Sequence, residues 1–226
     1  MAAVTVGVDI DLKGDSTAIA VVKRVERQGR DGRVEKHHQV RHLERLPEGK
    51  SYRAVAARLA EIVEGLPRPT GRWSFLYKPK ICMNTTVVGQ PVADLLDDYV
   101  RARFIRVCLT DGHERTESEK GDEVTLGERW LVSRLRVLLH DERLHLPGTP
   151  EAEELKRELQ EYGDSDGAPS SAVIALGLAV QKDESGGGLG PVRVIPGPGA
   201  CNLPSAQEVR ARRLITDALD RWSRSD

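Results

Sequence analysis

The chain has 226 residues, 39% hydrophobic and 31% charged, a composition typical of a soluble globular protein that buries a sizeable core. Its length allows one ordinary domain plus an additional segment. The formal net charge of −1 provides no overall attraction to nucleic acid, so any contact with DNA has to be local. Aromatic residues make up 4% of the chain, which argues against a protein that binds single strands by stacking on their bases.

The cysteines and the apolar runs indicate the cellular compartment. Cys82, Cys108 and Cys201 are an odd set without CxxC spacing, so we interpret them as reduced thiols of a cytoplasmic protein. No apolar run approaches about 18 residues, and the first strand pattern follows Met1 almost at once, so we expect neither a signal peptide nor a membrane span. The sequence contains no GxxxxGKS or GxxxxGKT motif, which excludes a P-loop motor in this chain.

The first predicted elements form a β-hairpin whose first strand ends on an aspartate. Residues 4–8 alternate apolar with small or polar side chains, which predicts a strand with one apolar face, and 19–22 predicts the second strand. The turn between them, 11–15, is polar and contains one glycine. Asp9 ends the first strand. Because Asp is disfavoured in strands and costly to bury, such a residue usually has a partner, such as a metal or a basic side chain.

Alternating strand and helix patterns follow this hairpin and predict a mixed α/β domain. We predict further strands at 39–46, 73–83 and 104–109 and a short extended piece at 144–146. We predict helices at 51–64, 91–101, 126–140, 151–162 and 170–180, a loop at 84–90 and a polar loop at 111–124. The order of elements favours parallel pairing, so we expect a mixed central sheet of about five strands with helices on both faces. We interpret residues 1–182 as this domain, 183–204 as a Gly/Pro-rich linker and 205–226 as a helical tail.

Charged clusters supply candidates for binding, each with a simpler alternative. Three arginines lie next to a predicted strand edge: Arg101, Arg103 and Arg106. Contact with DNA phosphates and plain solubility both agree with that position. Three further arginines lie in the predicted tail: Arg210, Arg212 and Arg213. Three histidines alternate along a predicted exposed strand without an acid spaced for zinc, and we interpret them as a solvated face: His37, His38 and His42.

The order of the predicted elements resembles the RNase H-like fold, and more narrowly the nuclease domain of the large terminase subunit of tailed bacteriophages. The opening VGVDIDLKGDSTAIAVV is similar to the first strand and turn of that family, and MNTTVVGQPVADLL is similar to its second motif. The span from Lys120 to Tyr162 resembles its helix, short strand and helix, and SSAVIALGLAV resembles its last motif. The resemblance covers roughly residues 4–182, and its specificity lies in several motifs appearing in the right order.

The resemblance implies a metal site for cutting DNA. In the family, acidic residues from these motifs hold two divalent metals, which clamp the attacking and leaving oxygens of a phosphodiester displacement. Carried over position by position, the resemblance places metal ligands at Asp9 and Asp15. The acid of the central strand falls on Asn84, and the acidic pair at the head of the last helix falls on Ser170 and Ser171. The last three positions are therefore altered.

The altered positions limit what the resemblance implies. Two divalent ions about 4 Å apart repel by roughly 17 kcal/mol at an effective dielectric constant of about 20, which four or more carboxylates would largely offset and two would not. Asn84 offers a neutral carbonyl oxygen and a serine hydroxyl is a poorer ligand, so we expect at most one weakly held Mg²⁺ or Mn²⁺. Each of these positions also has a simpler interpretation. Polar groups of a tight loop would be satisfied by the side chains of Asn84, Thr85 and Thr86, and Asp15 would be an ordinary turn residue.

Three explanations of the altered positions stay open at the level of sequence. An engineered exchange accounts for Asn84 but not for the paired serines. A displaced ligand, Asp164 or Asp166, would replace the lost acid and preserve an active divalent-metal endonuclease. The interpretation that we prefer is a natural homologue that kept the fold, weakened or lost metal-dependent cleavage, and binds DNA or a partner.

The resemblance also implies a biological setting. It indicates a phage or prophage protein related to DNA packaging, without the ATPase half, in the cytoplasm of a bacterial host. Its expected partners are double-stranded DNA and packaging components such as the portal and an ATPase partner, and no membrane. The alternative from another class is an actin-like or sugar-kinase-type phosphotransferase, whose fold also starts with a G-x-D strand. Only one glycine lies in the turn here, and no second phosphate-binding hairpin follows.

Overall fold

The computed structural model of the chain describes residues 3–10, 17–29, 32–68, 77–86, 88–162, 168–181 and 193–195. The strands are β1 Ala3–Asp9, β2 Ala18–Gln28, β3 Val34–Arg45, β4 Lys80–Asn84, β5 Arg103–Thr110, β6 Arg115–Ser118, β7 Glu123–Gly127, β8 Leu144–His145 and β9 Arg193–Ile195. The helices are α1 Tyr52–Glu64, α2 Gly89–Tyr99, α3 Glu128–His140, α4 Pro150–Glu161 and α5 Ser171–Val180.

The strands of the described residues all belong to one mixed sheet in the order β8-β3-β2-β1-β4-β5-β7-β6-β9. The strands β1, β2 and β3 pair antiparallel as a meander, and β4 and β5 add to β1 in parallel, as the order of elements predicts. The prediction of about five strands is wrong, because the described residues form a 9-stranded sheet. The missed strands are β6, β7 and β9, with 4, 5 and 3 residues, whereas β8 corresponds to the short extended piece predicted at 144–146. The strands β6 and β9 are too short to show a period of two.

The predicted loop at 111–124 is a second correction. This stretch contains β6 and the start of β7, which pair antiparallel, and β7 also pairs in parallel with β5. All four residues of β6 are half-buried, so polar side chains occupy a strand position with little apolar signal. Leu126 belongs to β7, and α3 begins only at Glu128.

The strand predicted at 73–83 begins later than expected. Residues 77–79 are not in a strand, β4 starts at Lys80 directly after Pro79, and it extends through Asn84, which was predicted to lie in a loop. Proline has no N–H to donate to a strand ladder, which explains a start just after it. The hairpin strands β2 and β3, by contrast, extend well beyond the apolar residues that predicted them.

Helices cover both faces of the sheet, which confirms the predicted layers. One core lies between the sheet, α1 and α2, and the other lies between the sheet, α3, α4 and α5. Ser51 caps α1 as predicted, since the Ala54 N–H donates to its Oγ at 3.2 Å, and Gly65 ends that helix. Among the described helices, none is long and apolar enough to cross a membrane.

The helix α5 packs directly on the central strand β1. A Cβ built at Gly7 would lie 1.9 Å from the carbonyl oxygen of Ala175, so only glycine permits this approach. Ala179, one turn further along α5, shares a cavity with Ala3 and Thr5 at the start of β1. The helix therefore runs antiparallel to β1, and its N-terminus points toward the end of the strand that carries Asp9.

Several predicted features lie outside the described residues. These are the turn 11–15 with Asp15, the acids Asp164 and Asp166, Cys201, and the tail 205–226 with its arginines. Cys82 is buried and Cys108 half-buried, and neither forms a disulfide bond among the described residues. Within the segment predicted as a linker, Arg193–Ile195 pairs in parallel with β6.

Candidate functional site

Asp9 and Asn84 meet at the carboxyl ends of two neighbouring parallel strands. Asp9 is the last residue of β1 and Asn84 is the last residue of β4, and Nδ2 of Asn84 donates to Oδ1 of Asp9 at 2.7 Å. Their exposed fractions are 6% and 7%, so the contact lies inside the protein. The structure thus brings together the two strand-end positions that the sequence singles out.

The orientation of the Asn84 amide is fixed by a second hydrogen bond. Its Oδ1 accepts from the backbone N–H of Thr86 at 3.0 Å, which leaves the NH₂ group to face Asp9. An amide flip would place two acceptors in contact and turn a donor toward the Thr86 N–H. The group next to the Asp9 carboxylate is therefore a hydrogen-bond donor, and donors do not ligate cations.

The loop after β4 is bound to the neighbouring strand β5. Thr85 donates its N–H at 2.8 Å and its hydroxyl at 3.1 Å to the carbonyl oxygen of Val107, and Oγ1 of Thr86 accepts from the N–H of Leu109 at 2.6 Å. These contacts agree with the alternative interpretation that Asn84 and the two threonines satisfy backbone groups of a tight loop. They also hold the Asn84 side chain in one position.

Ser170 caps α5 and contacts a carboxylate from another helix. Its Oγ accepts from the N–H of Val173 at 3.4 Å and donates to Oε2 of Glu158 in α4 at 2.5 Å. Ser171, the first residue of α5, is 5% exposed. Both serines lie at the end of α5 that points toward the carboxyl end of β1. The predicted site positions at the head of α5 are therefore on the same side of the fold as Asp9 and Asn84.

An arginine neutralises Glu158 on this face. Nη2 of Arg45 donates to Oε1 of Glu158 at 2.6 Å. Arg45 pairs with Ala18 in β2, and Ala18 pairs with Asp9 in β1, so Arg45 and Asp9 point to the same face of the sheet. The sequence gives no signal for Arg45 or Glu158, because 113 positions separate them and neither belongs to a motif.

Two acids, Asp111 and Glu128, lie at the same end of the sheet as Asp9. Glu128 begins α3, directly after Gly127, which pairs with Thr110 at the end of β5. Burial raises the pKa of the Glu128 carboxyl, and the nearby charge of Asp111 raises it further. Because β5 and β7 run parallel to β1, their carboxyl ends lie on the Asp9 side of the sheet. Sequence reasoning placed Asp111 in a loop and Glu128 on a helix and assigned neither to a site.

The described residues do not fit a two-metal centre. No group of three or more His, Cys, Asp or Glu side chains among them is arranged to hold a metal ion. The Asp9 carboxylate accepts a hydrogen bond from the Asn84 amide. The Ser170 hydroxyl donates to Glu158, which is itself paired with Arg45. Asp15, which the resemblance names as a ligand, and the replacement ligands Asp164 and Asp166 lie outside the described part of the chain.

Arg101 and Arg103 lie at the end of the sheet opposite to Asp9, whereas Arg106 lies near the Asp9 end but points to the other face, which α2 covers. Arg103 begins β5 and Arg101 precedes it, whereas Asp9 lies where the parallel strands end. Nη2 of Arg106 donates to Oδ1 of Asp94 in α2 at 3.0 Å. The structure therefore does not bring these arginines to Asp9, and their contact with DNA stays a prediction.

The three histidines of β3 do not form one solvated face. His38 is 2% exposed, so the prediction is wrong for that residue, because its side chain lies on the sheet face covered by α5. The ring of His37 stacks on His145 of β8, with 3.0 Å between Nδ1 of His37 and Nε2 of His145. Nε2 of His42 lies 2.8 Å from Oε2 of Glu44.

Comparison with known proteins supports the fold. The structure is similar to the crystal structure of the large terminase nuclease from thermophilic phage G20c, with a TM-score of 0.51, 17% sequence identity, and coverage of 81% of this chain and 83% of that chain. It also matches a structure of Thermus thermophilus RuvC, with a TM-score of 0.34, 12% identity, and coverage of 78% and 90%. No protein-family model matches the chain, and no curated protein matches it at a significant level. The predicted RNase H-like α/β fold is confirmed.

Proposed function

We propose that this chain is a terminase-nuclease-like protein of phage or prophage origin that acts on double-stranded DNA in packaging and in which metal-dependent cleavage is weakened or lost. The observation that carries the proposal is the hydrogen bond from the Asn84 amide to the Asp9 carboxylate. It stands at the carboxyl ends of two central strands of a fold similar to a terminase nuclease.

Electrostatics at this contact argues against paired metals. A second carboxylate at position 84 would share the positive charge of a metal with Asp9, whereas the amide turns the positive end of its N–H dipole toward Asp9. A cation at Asp9 has to displace this buried hydrogen bond, and it gains only a neutral oxygen after Asn84 releases Thr86. The amide thus takes the place that a metal ion would occupy beside the carboxylate.

The head of α5 supports the same conclusion from another element. The family places acids there, and this chain places Ser170, whose hydroxyl serves as a helix cap and as a donor to Glu158. Among the described residues, the carboxylate that contacts Ser170 is that of Glu158, and it is paired with Arg45. The positive charge that balances Glu158 on this face of the sheet therefore comes from Arg45.

The proposed partners follow from the fold similarity and from local charge. Double-stranded DNA is the proposed ligand, with Arg101 and Arg103 as phosphate contacts, since both side chains are exposed at the start of β5. Packaging components, a portal and an ATPase partner, are the proposed protein partners, and the bacterial cytoplasm is the proposed location. The likeness to a terminase nuclease supports both.

A plasmid cleavage assay with Mg²⁺ or Mn²⁺ tests the proposal. The wild type is compared with Asp9→Asn, and Asp97→Asn on the exposed face of α2 is the matched control. We expect little or no metal-dependent cleavage by the wild type, and therefore little difference between the wild type and Asp9→Asn. Efficient cleavage by the wild type and by Asp97→Asn, but not by Asp9→Asn, would overturn the proposal in favour of an active endonuclease. A variant combining Asp164→Asn with Asp166→Asn then tests the displaced ligand.

Binding to duplex DNA is measured separately from cleavage. Fluorescence anisotropy of a labelled duplex at several salt concentrations gives the affinity and its salt dependence. We expect that Arg101→Gln combined with Arg103→Gln weakens binding and flattens the salt slope, while Arg41→Gln, an exposed arginine of β3, does not. Hydrolysis of ATP by the wild type would instead support the phosphotransferase alternative.

A further inference from the structure

Two histidine rings meet in an open groove at the edge of the sheet. His145 of the edge strand β8 pairs with Gln39 of β3, and His37 lies two positions earlier on β3, so both histidines point to one face. The rings are 15° from parallel, and Nδ1 of His37 lies 3.0 Å from Nε2 of His145. Two nitrogens that bind one metal ion at about 2.0–2.1 Å lie about 2.9–3.4 Å apart for bond angles of about 90–110°, so this separation fits a shared cation.

A carboxylate orients the ring of His37. Oε2 of Glu35 lies 3.5 Å from Nε2 of His37, and the side chain of His37 is 12% exposed. A proton on Nε2 faces Glu35, which leaves Nδ1 as an unprotonated acceptor on the side of His145. In metal sites a carboxylate commonly holds a ligating histidine through its other ring nitrogen in this way. Nδ1 of His37 is therefore in the form that binds a metal ion.

The charges around the two rings favour a cation. The groove has a volume of about 1050 Å³, and the carboxylates in its described lining, Glu35, Asp141 and Glu142, outnumber the permanent positive charges, Arg27 and Lys156. Glu142 has a φ of 54°, in the left-handed region that favours glycine, so an acid stands where glycine is usual after a helix. A cation bound between the rings would reduce the net negative charge of the groove.

The number and type of ligands indicate which cation fits. Among the described residues, no third His, Cys, Asp or Glu is arranged to join the pair, so water from the open groove has to complete the coordination. Imidazole suits Zn²⁺, Cu²⁺ and Ni²⁺, whereas Mg²⁺ and Ca²⁺ take oxygen ligands. Two protein ligands are fewer than the four of a structural zinc site. The pair therefore fits a transition metal that exchanges with solution.

We propose that His37 and His145 form a divalent transition-metal site, in which Zn²⁺ takes the place of the proton between Nδ1 of His37 and Nε2 of His145 and releases that proton to water. Because β8 has 2 residues, the metal would cross-link a very short edge strand to β3. The site is separate from the candidate nuclease centre. Arg45 at the end of β3 is level with Asp9, whereas His37 lies near the start of β3.

Isothermal titration calorimetry of the untagged, metal-free full chain with ZnCl₂ tests the proposal. We expect His37→Gln and His145→Gln each to weaken Zn²⁺ binding by more than about 10-fold, and Glu35→Gln to weaken it by about 10-fold. Excess Mg²⁺ should not compete with Zn²⁺. His42→Gln is the matched control and should bind Zn²⁺ as the wild type does, since His42 is also a half-buried histidine of β3 with a carboxylate, Glu44, at 2.8 Å.

Thermal unfolding measures the proposed cross-link. Zn²⁺ should raise the Tm of the wild type and of His42→Gln but not that of His37→Gln or His145→Gln, because a ligand that binds only the folded chain stabilises it. No Zn²⁺ binding by the wild type would overturn the proposal. Binding that persists unchanged in both variants, as binding by cysteine thiols would, also overturns it. Far-UV circular dichroism checks that each variant folds. Failure here leaves the proposed DNA function untouched, because the two sites share no residue.

Discussion

The Asn84 amide donates to the Asp9 carboxylate at 2.7 Å across the ends of two parallel strands, and the exposed fractions of the two side chains are 6% and 7%. The relationship joins residues that are 75 positions apart in the chain. Where the resemblance expects two acids side by side, this chain has a neutral hydrogen-bond donor, Asn84, next to a charged acceptor, Asp9. The stability of the centre thereby becomes independent of a bound cation, which leads to the first prediction.

Asn84→Asp should destabilise the protein in the absence of divalent metal. The exchange removes a buried hydrogen bond and places two carboxylates in contact, which we expect to cost about 1–3 kcal/mol in the free energy of unfolding at neutral pH. Added Mn²⁺ should recover part of the loss. Urea unfolding with and without Mn²⁺ measures both effects.

Gln160→Glu is the control for this exchange, because it makes the same amide-to-carboxylate change on the exposed face of α4. It should alter stability by less than about 0.5 kcal/mol. An Asn84→Asp variant as stable as the wild type without metal would contradict the buried contact with Asp9.

Ser170→Ala should destabilise the protein by about 1–2 kcal/mol, because it removes the cap of α5 and the hydroxyl that donates to Glu158. Ser51→Ala, which removes only a cap on α1, should cost less. Combining each exchange with Glu158→Gln gives a double-mutant cycle. Coupling to Ser170 and none to Ser51 is the expected result of urea unfolding, and equal coupling would exclude the contact.

Gly7→Ala should displace α5 from β1. The new Cβ would lie 1.9 Å from the carbonyl oxygen of Ala175, which belongs to a helix backbone and cannot rotate away. We expect a loss of about 3 kcal/mol or more in the free energy of unfolding, since overpacking against backbone has no side chain to relax. Gly148→Ala, with no atom within 4 Å of its new Cβ, should change stability little. Thermal unfolding of the two variants decides whether α5 packs on β1 as described.

The His37–His145 pair should make stability fall in mild acid. Nδ1 of His37 and Nε2 of His145 lie 3.0 Å apart, so a hydrogen bond between them needs one of the two nitrogens to be unprotonated, and a proton added there would break it. Burial, then the positive charge of Arg27, lowers the pKa of His145 below its ordinary value of 6.5. On acidification, His145 therefore takes up its proton at higher pH in the unfolded chain than in the folded chain. The contribution of neutral His145 to the free energy of unfolding is fully present above pH 6.5 and is lost as the pH falls from there toward the lowered pKa.

The test is urea unfolding of the wild type and of His145→Gln at about pH 5.5 and pH 7.5. The variant should lose less stability than the wild type on acidification. His140→Gln, at an exposed position of α3, should behave as the wild type does. An unchanged pH dependence in His145→Gln would show that the ring pair carries none of the acid sensitivity.

Local sequence patterns were sufficient for most of the fold. The alternation of residues 4–8 predicted β1, the apolar run at 170–180 predicted a buried α5, and Ser51 and Gly65 marked the ends of α1. Each of these signals depends on side chains within a few positions of one another. It can therefore be recognised from a short stretch of sequence without the rest of the chain. The strand β6 was missed because a strand of 4 residues completes too few periods to be recognised.

By itself, therefore, the sequence determined the α/β layers and the position of Asp9 at a strand end. Only the tertiary structure decided that the Asn84 amide turns its donor to Asp9, that Glu158 reaches Ser170, and that Arg45 pairs with Glu158. These contacts join distant segments through strand register and helix packing. No local periodicity encodes them, because the geometry of the whole sheet sets which side chains meet.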